Sequence, residues 1–327
     1  MSVGLEPRLD CVACLTRQAH EAAVAATDDV RLREVALRRT FRLIARMDWH
    51  CPPPALAQQI HRLIRGATHN PDPYAELKDQ LNRRAAPLEP IWRKRFAEAF
   101  PPFEAAVRMA IVGNLLDVAA KTQLGEVDVL AAFERALITP LVGSVDELEA
   151  AVAEARDILY LADNAGEIVF DRSLLSHLPL GNVTVVVRGS PILNDATFAD
   201  ACWAGLADFC DIMTNGSDAP GTLLDDCSQA FRDRFAAADL IIAKGQGNYE
   251  SLAGIDKHVF FLLKIKCDVL GQDLGWPVGS LVLHHQRPVG GDRPHPRREP
   301  PTLPTEERKP HSRSSGLRHP HRPPTRA

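Results

Sequence analysis

The chain has 327 residues, 45% of them hydrophobic and 24% charged, with a formal net charge of −4. That length suffices for two domains and a full core, and no apolar run approaches the roughly 18 residues of a membrane helix. The mildly acidic balance gives no footing for nucleic-acid binding, which rests on a concentrated basic face.

Residues 1 to about 150 read as helix throughout. Asp10 can cap a first helix carrying Cys11, Cys14, Leu15, Ala19 and Ala22. Asp28–Asp29 open a second, with Val35, Leu37, Phe41, Leu43 and Ile44. Pro52–Pro53–Pro54 break it and start a third, in which Leu56, Ile60, Leu63 and Ile64 recur at helical spacing. After the Asn70–Pro71–Asp72–Pro73 turn, Tyr74 to Ala86 keeps a helical pattern. Phe103 to Ala120 is the most apolar run of the set, yet it holds Gly113–Asn114 and Asp117. Asn114 and Asp117 are three apart and share one helical face. Buried polar groups need partners, so the pair reads as part of a site, with plain core packing as the other reading.

From about 151 strands alternate with helices, the pattern of a parallel, doubly wound sheet. Ile158–Ala162 lacks alternation and reads as a buried strand. Asp163–Asn164–Ala165–Gly166–Glu167 then leads into a helix through Leu178. Val183–Val187, a weaker strand near Phe209–Met213, Leu240–Ala243 and Val259–Leu263 complete the series. Polar residues follow every strand: Asp163 and Asn164; Arg188, Asn194 and Asp195; Asn215, Ser217 and Asp218; Lys244 and Asn248; Lys264 and Lys266. Any one of these loops is an ordinary turn. All five, however, lie at the strand ends where open α/β sheets bind ligands.

Two carboxylates and an amide oxygen suit a hard divalent cation, Mg²⁺ or Mn²⁺, with Co²⁺ or Ni²⁺ as further options. Lysines and free amides at glycine-rich turns suit a phosphate. Together they imply phosphoryl chemistry, most simply hydrolysis by a metal-activated water. Gly245–Gln246–Gly247 is no dinucleotide fingerprint, because Glu250 holds the third glycine position, and there is no Walker loop. No Asp-x-Asp follows the first strand, so an aspartyl-phosphate intermediate is not indicated.

Four segments occur in order: Asp163–Asn164–Ala165–Gly166–Glu167, Asn194–Asp195–Ala196–Thr197, Lys244–Gly245–Gln246–Gly247–Asn248–Tyr249–Glu250 and Lys266–Cys267. They resemble the domain-of-unknown-function 89 family of damage-control phosphatases, from Cys11 to about Leu283. The resemblance implies an all-helical N-terminal domain, residues 1–150, before a Rossmann-like three-layer α/β/α catalytic domain with a mainly parallel sheet, residues 151–283. It also implies that Asp163, Asn164 and Asp195 hold the metal and that Lys244 holds the phosphate. Arg188, Gly245, Asn248 and Lys266 stand as substrate-binding candidates from their loops. Asn114 and Asp117 join them through the helical element, which also resembles the family's. The general base stays open between Asp195 and Asp117.

Cys11–Val12–Ala13–Cys14 with Lys266–Cys267 resembles a mainly prokaryotic subfamily. Cys11 and Cys14 project to one side of a helix, and Cys267, Cys51 or His61 would have to complete any second metal or thiol site. The second Cys-x-x-Cys of a structural zinc site is absent, and inert core thiols are the commoner outcome. Seven cysteines do not form a disulfide framework. Glu6, Arg8 and Asp10 stand where a secretory signal needs an apolar core. A reducing cytoplasm is expected.

The expected partner is a small phosphorylated metabolite, a sugar phosphate or a damaged phosphometabolite, with no membrane and no specific nucleic acid. Two other readings stay open. One is an S-adenosylmethionine-dependent carboxyl methyltransferase, although the usual glycine-rich first loop is missing; the other is a non-catalytic metal- or phosphate-binding module. From His284 onward arginine, proline and histidine dominate, so residues 284–327 are expected to be disordered. A frameshifted or read-through C-terminus is favoured there over a functional basic tail.

Overall fold

The fold is that of a computed structural model, which describes residues 3–114, 126–208 and 210–288, with 126–129 by backbone alone. Asp117 and the stretch beyond 288 lie outside the described residues. The chain opens with α1 (Leu9–Ala26), α2 (Val30–Ile44), α3 (Pro53–Thr68), α4 (Ala75–Ala99) and α5 (Pro102–Val112). Asp29 caps α2, its carboxylate accepting from the amides of Arg31 and Leu32. Pro53 starts α3, where its missing N–H costs nothing. Asp10 is not a cap: Arg8 holds that position, and Asp10 sits in the first turn at the positive end of the helix. α4 runs past Ala86 and through Pro87 and Pro90. Each interior proline costs about 3 kcal/mol, and burial of Leu81, Ala85, Trp92 and Phe96 along one face offsets it.

α6 (Glu126–Ile138) and β1 (Leu141–Val142) follow, so the sheet begins before residue 151. Then come α7 (Val145–Glu154), β2 (Ile158–Leu161), α8 (Glu167–Leu175), β3 (Val183–Val187), α9 (Phe198–Trp203) and β4 (Asp211–Thr214). The series ends with α10 (Gln229–Ala237), β5 (Leu240–Lys244), α11 (Gly245–Leu252), β6 (Val259–Lys264), α12 (Asp268–Leu274) and β7 (Leu281–Gln286).

The seven strands lie in the order β1-β7-β6-β5-β2-β3-β4. β2 through β6 pair in parallel, with Ile158 beside both Val183 and Leu240. β7 is antiparallel to β6. It also extends beyond the point where the sequence suggests a tail, because His284, His285 and Gln286 pair with Phe261, Phe260 and Val259. The sequence hides these residues as strand because they are only half-buried and need no apolar side chain.

Alternate residues of the central strands face opposite sides, and both sides are dry. Ile158 and Tyr160 join Val185, Phe170 and Phe133 in one cluster, whereas Leu159 and Leu161 join Ile241, Phe231 and Phe235 in another. Burial on both faces explains why these strands read as unbroken apolar runs. A third cluster lies among α1, α2 and α3 and includes Ile192 and Leu193 from the loop after β3. No helix among the described residues is long and apolar enough to cross a membrane.

Candidate active site

Strand order reverses beside β2, with β3 and β4 on one side and β5 and β6 on the other. Such a reversal leaves a crevice at the carboxyl ends of the strands. The turns leaving β2 and β5 bring Asp163 and Gly245 together there. Gly245 has φ +78°, and a Cβ at this position would lie 1.9 Å from Asp163 Oδ2. Only glycine leaves room for the carboxylate. The turn after β3 is joined to the turn after β2 by main-chain hydrogen bonds. Ala196 donates its N–H to the Asp163 carbonyl at 2.7 Å, and Ala165 donates to the Asn194 carbonyl at 2.8 Å. Asn164 and Asp195 thereby form an isolated β-bridge.

Asp163 Oδ2 accepts from the side-chain amides of Asn164 at 2.9 Å and Asn114 at 3.2 Å. The same two amides donate to Glu167 Oε2, at 3.1 and 2.5 Å. Asn114 reaches this point because Gly113 packs against Phe170 of α8, where a Cβ would come within 2.9 Å. Asp195 Oδ2 accepts from Arg188 Nε at 2.7 Å. The same guanidinium lies 3.6 Å from Asp163 Oδ1 and donates to Asn248 Oδ1 at 3.2 Å. On α8, Glu167 Oε1 and Asp171 Oδ1 bracket Lys244 Nζ at 2.7 and 2.5 Å. The Tyr160 hydroxyl donates to Asp171 Oδ1 at 2.7 Å.

Four carboxylates (Asp163, Glu167, Asp171, Asp195) and two cations (Arg188, Lys244) are therefore buried together. Burial, then the charges of Glu167 and Asp195, push the Asp163 carboxyl well above its ordinary range, against the pull of Arg188 and Lys266. Burial raises Asp171 to about 6 despite Lys244. Burial alone would lower the Lys244 ammonium, but Asp171 and Glu167 raise it overall, so it stays charged. The carboxylates outnumber the cations by two, an excess that one hard divalent ion would offset. Asn114 Oδ1 is buried and meets no donor among the described residues, so an acceptor oxygen is available beside them. Asp163, Asp195 and the amide oxygen of Asn164 fit such an ion. No three His, Cys, Asp or Glu side chains among the described residues are arranged to hold a metal, so an ion held here would need amide oxygen and water in its shell, as magnesium-type ions accept.

Asp163, Asn164, Asp195, Arg188, Asn114, Gly245 and Asn248 thus converge as the spacing suggests. Lys266 is exposed, and its charge reaches Asp163. Lys244 differs from expectation: it is fully buried and bonded to two carboxylates. Asn248 is likewise engaged with protein, donating to the Ala162 and Lys244 carbonyls and accepting from Thr222 Oγ1. Ser217 and Asp218 turn toward Gln58 of α3. Cys11 Sγ accepts from the Arg8 amide and Cys267 Sγ from Gln246 Nε2. Burial pushes both thiols up. Asp171, Tyr160, Thr222 and Asn82 escaped the sequence reading. Asn82 of α4 accepts from the Gly166 amide at 2.7 Å and donates to Asp200 at 2.8 Å. One signal was available: Asp171 stands one helical turn after Glu167.

Comparison with known proteins agrees with this fold. The model of the damage-control phosphatase ARMT1-like domain matches residues 8–282, and the chain belongs to that family. A damage-control phosphatase of Archaeoglobus fulgidus is 33% identical over 277 residues, covering 83% of this chain and 96% of the relative. A damage-control phosphatase of Pyrococcus horikoshii is 33% identical over 284 residues, covering 85% and 97%. The crystal structure of a DUF89 family protein from Pyrococcus horikoshii superposes with a TM-score of 0.77 at 30% identity, over 86% of this chain and 99% of that one.

Proposed function

We propose that this chain is a divalent-cation-dependent phosphatase of small phosphorylated metabolites, sugar phosphates or damaged phosphometabolites among them. The observation that carries the reading is the excess of buried carboxylate at the sheet's reversal point, beside Gly245 and the N-terminus of α11, which no side chain caps. Asp163, Asp195 and Asn164 would hold Mg²⁺ or Mn²⁺, with Co²⁺ or Ni²⁺ as substitutes. When bound, the ion supplies Lewis acidity toward the attacking water and the leaving oxygen.

The protein's own groups do the rest. Arg188 orients Asp195 and screens Asp163, and Lys266 offers an exposed positive charge to an arriving phosphate. Lys244 serves in this reading as the counter-ion of Glu167 and Asp171. All seven cysteines are free thiols, which suits a reducing cytoplasm. The names of the Archaeoglobus and Pyrococcus relatives support a phosphatase.

The test is hydrolysis of p-nitrophenyl phosphate with each of the four metals, beside a titration with S-adenosylmethionine. Asp163→Asn should lower turnover at least a hundredfold, on the order of losing one electrostatic anchor at the reaction centre. Wild-type turnover in that variant would reject the assignment, and stoichiometric S-adenosylmethionine binding would favour a methyltransferase.

A further inference from the structure

Glu167 accounts for a feature that the ligand set alone does not explain. Asn164 presents nitrogen, not oxygen, to its neighbours: Nδ2 donates to Asp163 Oδ2 at 2.9 Å and to Glu167 Oε2 at 3.1 Å. Both amide hydrogens are thereby used. The oxygen is the other arm of the same planar group, so it is directed away from those carboxylates. The last torsion of an asparagine is broad and turns easily. A half-turn would set the oxygen against two carboxylates and present N–H to the cation. Glu167 disfavours that half-turn.

Glu167 is itself held. Its other oxygen receives Lys244, Lys244 also bonds Asp171, and Asp171 receives the Tyr160 hydroxyl. Glu167, Lys244, Asp171 and Tyr160 are each at most 2% exposed. The chain of contacts runs from β2 through α8 to β5 and back to the rim.

We propose that Glu167 is a positioning residue that turns the Asn164 amide oxygen toward the cation, with Lys244 and Asp171 fixing the Glu167 carboxylate. This rests on the phosphatase reading above and deepens it. Groups that orient a metal ligand typically contribute about 10–100-fold in affinity.

The experiment is calorimetric titration of Mn²⁺ into the full chain and into Glu167→Gln, Asn164→Asp and the double variant. Glu167→Gln should weaken Mn²⁺ binding by about 10–100-fold. In the Asn164→Asp background both ligand arms are oxygen and nothing needs orienting. There, Glu167→Gln should cost no more than about twofold, the ordinary limit of additivity, or should strengthen binding by relieving charge crowding. An equal loss in both backgrounds would mean that Glu167 acts directly, and overturns the proposal. So does wild-type affinity in Glu167→Gln. Asp171→Asn keeps the test open if Glu167→Gln does not fold: it should weaken Mn²⁺ binding in the same direction by less, and an unchanged affinity overturns the proposal. Absence of Mn²⁺ binding by the wild type sinks the functional reading and this inference with it. Tight wild-type binding with an unaffected Glu167→Gln sinks the inference alone.

Discussion

Gly245 tests how tightly the crevice is built. Its left-handed backbone and the 1.9 Å approach of Asp163 to a Cβ mean that Gly245→Ala must displace the carboxylate. A shift of that size at a reacting centre costs about a hundredfold, so kcat for p-nitrophenyl phosphate should fall by that order while the fold survives. Lys244 separates two roles. Lys244→Met leaves Glu167 and Asp171 buried without their cation, which should cost about 3–5 kcal/mol of stability in urea titrations. A variant as stable as wild type but with a raised KM would return the lysine to phosphate binding. Asp163 and Asn164 were legible because they break an apolar run abruptly, and Asp195 because it lies in the loop that follows the next strand. The Tyr160–Asp171–Lys244 pairing was not, since a sequence shows that a polar residue ends a strand but not which atom it meets across the sheet.

Among elements, α3 is tied to the loop after β4 by one face. Gln58, Arg62 and Arg65 all donate to Asp218, and Gln58 and Arg62 also reach Asp226. Burial alone would raise Asp218, yet hydrogen bonds from Arg62, Arg65 and Gln58 hold it below its ordinary value; Asp226 is lowered in the same way by Ser217, Gln58 and Arg62. A lowered carboxyl adds stability above its unfolded value, about 3.9, and loses it as pH falls through the lower folded value. Asp218→Asn should therefore lower the urea midpoint at pH 7, by the equivalent of about 1.5–3 kcal/mol. The difference from wild type should shrink once the pH drops below about 4. A gap that persists undiminished at pH 3 would exclude the ion pairs as its source. The sequence placed Asp218 after a strand but gave it no partner, and its loop bends toward the helices. Spacing along a strand carries no information about that bend.

For the whole molecule, the parallel sheet was readable from its apolar runs and the helices from their periodicity. β7 was not read as a strand at all: the series ended at Val259–Leu263, and the half-buried end of β7 turns polar. Its last three residues hold β6 by main chain, and Gln286 also donates to the Ile255 carbonyl and accepts from the Gly254 amide. A chain ended after Leu283 should melt several degrees below one ended after Pro288, at roughly 2–4 °C per kcal/mol for a protein of this size. Equal melting temperatures in scanning calorimetry would show that β7 adds nothing past Leu283.

The two turns that carry Asp163 and Asp195 are sewn to each other backbone to backbone, through the Asp163 and Asn194 carbonyls. Side-chain replacements leave those stitches untouched. A crevice made this way can be relined by changes in the surrounding side chains while the spacing between Asp163 and Asp195 stays as it is.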